Sequence, residues 1–414
     1  MQNDCFPEAI MDWAKRPVSF LAHVNPRYPI KKDQELPFVE MAAVAEHFGG
    51  IQRFDRRKLE GSGLARFAAN DTLFAKITPC PQNGKVAFVR DLPAPARYGI
   101  GSTEFIVLSP KPTCDPRFLY HLVCHHSFRG RAASRMEGST GRQRVPEDVF
   151  HRRLLIPTPS KPEQTAIARM LDAVDAATDA VTRSITESRQ LGTSLIVNAF
   201  ERLGAPTRRL KEFVSDVRYG TSQASNERGW GHPTLRIPNV VGDQLALDDV
   251  TCVDLPAAET NRLALKDDDL LLVRTNGNPN YVGRSAVFAL PDHRVWVYAS
   301  YLIRVRLKPG LLPEYANVFL STERGRRELL RRVTTSAGNH NINSNSIRLL
   351  AIPVPESTDD QQSVVEIAAA TRTRTAALVA KRAALQKLKA GLATDLLTGR
   401  VRVSHQHLET VGAT

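Results

Sequence analysis

The sequence predicts an α+β protein: two similar mixed α/β domains separated by two long helices, which pack as an antiparallel coiled coil about a pseudo-twofold axis. Three observations carry that expectation. The chain of 414 residues states one ordered set of short motifs twice, at an offset of about 200 residues. Each copy consists of short apolar runs broken by Pro, Gly and Asn, the pattern of strands between turns. After each copy comes a long Gly-poor stretch, the first with apolar residues at alternating four and three spacing and the second with a poorer version of that seam.

The first copy runs Asp71-Thr72-Leu73-Phe74-Ala75-Lys76, Gly84 to Phe88, Arg129-Gly130-Arg131, Ser139-Thr140-Gly141, Ile156-Pro157-Thr158-Pro159 and Glu163-Gln164. The second answers with Asp269 to Arg274, Gly283 to Phe288, Arg324-Gly325-Arg326, Ser336-Ala337-Gly338, Ile352-Pro353-Val354-Pro355 and Gln361-Gln362. This alignment pairs Lys76 with Arg274 and Arg131 with Arg326. So long a period exceeds a solenoid unit, so each copy is a whole domain, about residues 20 to 156 and 207 to 352. Strands are expected at Pro37 to Met41, Asp71 to Ile77, Lys85 to Val89 and Glu104 to Leu108, with helices at Phe118 to His126 and Val149 to Arg153. The second copy repeats the strands at Pro233 to Asn239, Asp269 to Thr275, Ser285 to Leu290 and Tyr301 to Leu307.

In the first long stretch Ile167, Leu171, Val174, Thr178, Val181, Ile185, Ser188, Gly192 and Leu195 trace a coiled-coil seam. A helix of about 40 residues reaches ~60 Å at ~1.5 Å per residue. The second stretch offers Leu378, Leu385, Leu388, Leu392 and Leu396, with Thr371, Arg372, Thr373 and Arg374 interrupting the pattern. Such apolar stripes must be buried, and the nearest partner of each is the other.

Lys plus Arg outnumber Asp plus Glu by 56 to 43, a formal charge of +13, which favours a polyanionic partner such as nucleic acid. Five scattered cysteines without a Cys-x-x-Cys pair indicate neither a disulfide framework nor a zinc finger, and a reducing cytoplasm fits best. No run approaches the ~20 apolar residues of a membrane span. Catalytic constellations are missing as well. No position satisfies Asp/Glu-x-Lys, no phosphate-binding loop occurs, and Tyr98-Gly99-Ile100-Gly101 lacks the third glycine of a cofactor loop. Asn278-Pro279-Asn280-Tyr281 resembles the loop that holds a flipped adenine in amino-methyltransferases, but it reads better as a turn between strands. His121 and His125 stand at a spacing that could place two imidazoles on a metal, although the other copy has no counterpart. The reading is therefore no catalytic residue, no metal and no cofactor of its own.

The remaining side chains suit recognition. Beside the Ser-x-Gly turns stand Arg142, Gln143 and Arg144 in one copy, and Asn339, His340, Asn341, Asn343, Ser344 and Asn345 in the other. Arg pairs bidentately with guanine, and Asn or Gln with adenine, in the major groove. Lys76, Arg131, Arg274 and Arg326 are repeat-matched cations suited to phosphates. Asn and Ser are also ordinary turn formers, and most single cations are solvated or locally paired.

Leu155-Ile156-Pro157-Thr158-Pro159 with Glu163-Gln164, then Tyr219-Gly220-Thr221-Ser222, Leu235-Arg236-Ile237-Pro238-Asn239 and Leu396-Leu397-Thr398-Gly399-Arg400-Val401-Arg402-Val403 resemble the specificity subunit of type I restriction-modification systems. The resemblance implies an N-terminal segment 1–17, target-recognition domains at 18–158 and 207–355, helical spacers at 160–204 and 359–399, and a tail 400–414. It implies a non-catalytic subunit that reads a bipartite site on double-stranded DNA. Two methyltransferase subunits would dock on its helices, with two restriction/translocase subunits joined through them. S-adenosylmethionine, Mg²⁺ and ATP would belong to those partners. Tyr219, Thr221, Ser222, Arg236 and Asn239 join the candidate DNA contacts on the same ground. The sequence departs from the family in Gln361-Gln362 standing for Glu-Gln, in Arg372 and Arg374, and in a first domain with no evident counterpart to Tyr219-Gly220-Thr221-Ser222. The rival readings are a self-sufficient DNA adenine methyltransferase or nuclease with degenerate motifs, and a basic coiled-coil scaffold.

Overall fold

A computed structural model describes residues 13–59, 63–139, 141–226, 229–290, 293–336 and 338–403. Most of the expected N-terminal segment and tail lie outside these residues. The chain divides into two units, residues 1–182 with 380–414, and residues 183–379.

In the first unit β1 (Lys15–Pro17), α1 (Val18–Leu21) and β2 (Ala22–Val24) precede β3 (Glu35–Val39), β4 (Asp55–Lys58), β5 (Ala65–Ala68) and β6 (Thr72–Ala75). β7 (Val86–Phe88), β8 (Tyr98–Gly101) and β9 (Phe105–Pro110) follow, then α2 (Pro116–Cys124), α3 (His126–Ala133), β10 (Leu155–Pro157) and the long helix α4 (Lys161–Leu203). Two four-stranded sheets form, in the orders β2-β9-β6-β7 and β4-β3-β8-β5. Successive residues of a strand face opposite ways. Phe74 therefore joins Phe118, Phe128 and Phe150 on the helical side, while Leu73 and Ala75 join Val39 and Phe67 on the other. Helix α2 starts where Asp115 accepts from the Arg117 and Phe118 amides, with Pro116 in its first turn. The segment 149–153 is a single π-helical turn.

The second unit repeats the plan with β11 (Thr207–Arg209), β12 (Val214–Tyr219), β13 (His232–Leu235), the hairpin β14 (Val240–Val241) and β15 (Gln244–Leu245), β16 (Thr251–Val253) and α5 (Ala257–Leu263). Next come β17 (Leu270–Val273), β18 (Thr275–Asn276), β19 (Ser285–Val287), β20 (Val297–Tyr298) and β21 (Leu302–Leu307). The unit closes with α6 (Pro313–Ser321), α7 (Glu323–Leu330), β22 (Thr334–Ser336), β23 (Asn339–Asn341), α8 (Ser344–Arg348), β24 (Ala351–Pro353) and α9 (Thr358–Thr398). Its sheet β12-β21-β17-β19 corresponds to β2-β9-β6-β7, and Leu270 and Leu272 alternate with Leu271 and Val273 as in β6. β2 pairs with β9 as β12 pairs with β21, so the first domain does have the entry strand that its sequence conceals.

Both long helices contribute to each unit and run antiparallel there. In the first unit Asp175 Oδ1 meets Lys389 Nζ at 2.5 Å and Glu163 meets Arg402 at 3.1 Å. In the second, Ser188 meets Thr375 at 3.1 Å, and a Cβ added to Gly192 would fall 2.0 Å from Thr371 Cγ2. Two details of the expected seam change. Leu195 is 44% exposed, and the buried line continues instead through Ile196, Ala199 and Phe200. The four-residue steps from Ser188 to Gly192 to Ile196 follow the 3.6-residue period of a straight helix. In α9 the seam is more regular than its composition suggested. Gln361, Val364, Ala368, Thr371, Thr375 and Leu378, then Arg382, Leu385, Lys389, Leu392 and Leu396, turn inward at unbroken three and four spacing. Leu388 lies off this line at 50% exposure, while Thr371 lies on it because Gly192 makes room. Arg372 points aside to Asp243 at 2.7 Å.

The entry to each long helix is fixed by one buried amide. Gln164 Oε1 accepts from the Asp115 amide at 2.9 Å and its Nε2 donates to the Pro159 carbonyl at 2.9 Å. Gln361 Oε1 accepts from the Leu312 amide at 2.8 Å and its Nε2 donates to the Gly310 carbonyl at 2.9 Å. The true match to Glu163-Gln164 is thus Asp360-Gln361, one residue earlier than the sequence alignment placed it, and the motif is kept with a shorter acid. Replacing Gln361 with Ala strands two backbone groups, so a loss of about 2 to 4 kcal/mol is expected in urea unfolding. Gln164→Ala should match it in direction, and Gln362→Ala, at an exposed position, should stay within about 0.5 kcal/mol of the parent.

Candidate nucleic-acid interface

In the second unit β18, β23 and β22 form a three-stranded ribbon with β23 in the centre. Asn341 stands between Thr275 and Thr334, and His340 between Asn276 and Thr335. The ribbon is tied to the central sheet by the Ile342 amide, which donates to the Arg274 carbonyl at 2.9 Å. Asn339 is exposed, and His340 and Asn341 are half-buried. The Asn341 amide donates to the Asn339 carbonyl at 3.1 Å, and His340 Nδ1 lies 3.2 Å from the Thr335 hydroxyl. Asn343 has a local task, capping α8 by accepting from the Ser346 amide at 2.8 Å.

The first unit holds the same ribbon in reduced form. Arg144 bridges Ile77 on one side and Glu137 on the other, and the Val145 amide donates to the Lys76 carbonyl at 2.9 Å. Arg142, Gln143 and Arg144 therefore occupy the register of Asn339, His340 and Asn341, and Lys76 that of Arg274. Arg142 is exposed, and the Gln143 carbonyl accepts from the Thr78 amide at 2.9 Å. Arg144 forms a bidentate pair with Glu104, at 2.7 Å for its closest contact. These hydrogen bonds, against the opposing effect of burial and with the charges of Arg144 and Lys76 adding, hold the Glu104 carboxyl below the usual range.

Beside the second ribbon, the Arg274 guanidinium lies 4.9 Å from the Tyr219 ring centre, and the Tyr219 hydroxyl accepts from the Ser344 amide at 3.0 Å. Ser222 is exposed. Other candidates have structural tasks that take them away from bases. Asn239 is 1% exposed, and its side chain accepts from the Arg236 amide and donates to the Ala246 and Asp249 carbonyls. Thr221 is buried, its hydroxyl accepting from the Gln223 amide. Arg236 pairs with Asp249 at 3.0 Å. Arg326 donates to the Asn280 and Val282 carbonyls, bracing the Asn278–Tyr281 segment, which is a turn between β18 and β19. Its structural match is Arg129, which donates to the Pro81 and Gln82 carbonyls, and not Arg131. Arg131 donates to the Leu155 carbonyl at 2.8 Å.

Residues 25–188 match the family described as the type I restriction modification DNA specificity domain. The chain is 28% identical over 268 residues to the EcoKI specificity subunit of Escherichia coli K12, covering 60% of this chain and 57% of that protein. The similarity to type I specificity subunits is thus strongest over the first domain and the first part of the first long helix. The EcoAI specificity subunit of E. coli is 31% identical over 159 residues, 37% of this chain and 26% of that one. The chain thus spans less than two thirds of the length of these curated relatives. Among solved structures, the type I S subunit from M. genitalium is 16% identical with a TM-score of 0.57, over 96% of this chain and 99% of that one. The HsdS subunit from Thermoanaerobacter tengcongensis is 21% identical with a TM-score of 0.51, over 96% and 98%. Both share the α+β fold.

Two positions of this chain escaped the sequence reading, Glu104 and its match Tyr301. The Lys76 amide donates to the Glu104 carbonyl as the Arg274 amide donates to that of Tyr301, which is 56% exposed. Only the register reveals them, because neither lies in a repeated motif. The histidines behave otherwise than a metal pair would. His121 Nε2 lies 2.8 Å from Asp172, which also binds Arg117, and His125 Nε2 lies 3.4 Å from the Thr394 hydroxyl. His121, Asp172 and Asp175 cluster closely enough for a cation, but Arg117 and Lys389 already neutralise the two carboxylates.

Burial, with the charges of His126 and Arg129 adding, lowers the His125 pKa to about 4, and burial lowers that of His121 in spite of Asp172. Asp172 is itself depressed: burial opposes this, but hydrogen bonds from His121 and Arg117 outweigh it. Both histidines have folded pKa values below the ~6.5 of the unfolded chain, so the unfolded state takes up protons first as pH falls. The stabilising contribution of both is complete above about pH 6.5 and declines as pH falls, that of His125 down to about pH 4, with that of Asp172 following below ~3.9. The melting temperature should fall between pH 7 and 5, and His125→Gln should flatten that slope. Parallel slopes for variant and parent would remove His125 from the account.

Proposed function

We propose that this chain is a non-catalytic DNA-specificity subunit, with target-recognition domains at about 18–158 and 207–355 and helical spacers at about 160–204 and 359–399. It reads the two halves of a bipartite site on double-stranded DNA. The observation that carries this reading is the pair of ribbons built on one register with different contents, Arg142, Gln143 and Arg144 in one and Asn339, His340 and Asn341 in the other. A shared frame holds each set of side chains at the same place on its sheet, and the contents select the bases. Lys76, Arg274 and Tyr219 flank these positions as phosphate and sugar contacts, and the exposed Ser222 is a further candidate. The formal charge of +13 supports the same reading.

The spacers dock two methyltransferase subunits, through which two restriction/translocase subunits join, and S-adenosylmethionine, Mg²⁺ and ATP act on those partners. The regular seam of α9 supports docking on both spacers. Among the described residues no helix is long and apolar enough to cross a membrane, and we place the assembly in the cytoplasm.

Replacing Asn339, His340 and Asn341 together with Ala should relax base preference in one half-site and leave the other intact in a binding selection from random duplexes. Equal losses in both halves would end the modular reading. Affinity for duplex DNA should fall by roughly 10³-fold or more between 50 and 200 mM salt, as expected when about six or more phosphates are neutralised. A flat salt dependence would favour a scaffold, and methyl transfer to DNA by the purified chain alone would favour an enzyme.

A further inference from the structure

The two ribbons differ most in how their central residue is held. In the first unit Arg144 Nε and Nη2 donate to the Glu104 carboxylate at 2.7 to 3.1 Å, and Nη1 donates to the Arg142 carbonyl at 3.3 Å. A guanidinium has five N–H groups, so two remain, one on each Nη. Guanine presents two acceptors, O6 and N7, to the major groove. Arg144 is 46% exposed along its side chain, whereas Glu104 is 22% exposed and is set by its own backbone. The Glu104 amide donates to the Ser102 hydroxyl at 3.2 Å, and its carbonyl accepts from the Lys76 amide at 2.9 Å.

We propose that Glu104 is a positioning residue that presents the two remaining N–H groups of Arg144 to one guanine in the half-site read by the first unit. The proposal rests on the reading of the ribbons as DNA-facing. An unheld arginine loses much rotamer freedom on contacting a base, and a carboxylate that fixes the fork beforehand removes that cost from the binding step. A carboxylate at a DNA surface also repels phosphates, so Glu104 lowers affinity for duplex of any sequence while sharpening the choice of base. Among the described residues the second ribbon has no such pair. Tyr301 stands at the Glu104 position and Asn341 at the Arg144 position, where the amide is held by the Asn339 carbonyl. A buttressed arginine therefore reads only one half of the site.

The test is selection from random duplexes by the full chain and by Arg144→Ala, Arg144→Lys, Glu104→Gln and the Glu104→Gln/Arg144→Ala double variant. Arg144→Ala should lose roughly tenfold to a hundredfold of guanine preference at a single position, the discrimination of one bidentate contact. Arg144→Lys keeps the charge without the fork and should lose the same preference with an unchanged salt slope. Glu104→Gln should weaken that preference by about threefold to tenfold while raising affinity for random duplex at low salt, two shifts in opposite directions that general destabilisation does not produce. In the Arg144→Ala background, Glu104→Gln should leave base preference unchanged, because it acts through Arg144. The second half-site should be unaltered throughout. Guanine preference that survives Arg144→Ala overturns the proposal while leaving the specificity-subunit reading in place. So does an effect of Glu104→Gln on base preference that persists without Arg144. A parent chain that selects no sequence at all overturns that reading, and the proposal with it.

Discussion

The buried glutamine at the start of each long helix is the constraint from which the rest of each unit takes its geometry. Gln164 and Gln361 each spend their amide on backbone groups of the strand-to-helix connection in their own domain, Asp115 and Pro159 in one case and Leu312 and Gly310 in the other. Each amide is almost fully shielded from water, so its hydrogen bonds have no solvent competitor and their loss would strand the partners. The helix consequently leaves its domain in one direction. A long helix can serve as a spacer only if its first turn does not pivot, and a buried amide sets that turn more firmly than an exposed ion pair would.

Much of this was legible in the sequence, and the limits follow from what a motif encodes. The short apolar runs Asp71 to Ala75 and Asp269 to Val273 identified the central strands, and they are apolar at successive positions because each of their faces meets a different apolar cluster. The positions beside the Ser-x-Gly turns identified the ribbons in register. What failed was alignment by residue identity where the fold aligns by geometry. Arg129-Gly130-Arg131 and Arg324-Gly325-Arg326 look alike, yet the N-caps His125 and Thr322 set the helices so that Arg129 matches Arg326. Leu195 and Leu388 are apolar, which marks them for the seam, but the seam is chosen by phase. Thr371 and Lys389 occupy it because Gly192 and Asp175 accommodate them. Asn239 has a side chain suited to adenine, but burial and three backbone partners remove it from any surface.

The fate of the repeat-matched cations shows how a strongly basic chain divides its charge. Arg129 and Arg326 each hold two turn carbonyls at once, a task for which a planar fork suits arginine better than lysine. Recurrence of a cation at this position of both copies therefore marks a shared structural need rather than a shared ligand. Side chains that differ between the copies at matched positions are better candidates for recognition.

One helical position makes the distinction concrete. Arg131, the sixth residue of α3, donates to the Leu155 carbonyl at 2.8 Å, while Glu328, the sixth residue of α7, accepts from the Ala351 amide at 3.0 Å. The charge has reversed and the task has not, since either sign can secure the strand that leads into the long helix by choosing the complementary backbone group. Frame positions tolerate such exchange because the backbone offers both a donor and an acceptor. At the ribbons, among the described residues, no backbone partner dictates what the side chain of Arg142 or Asn339 must be, so the frame leaves their identity open. Within this fold, different side chains at matched ribbon positions are thus what an unchanged scaffold permits, and this is the physical basis on which the proposed reading of two half-sites rests.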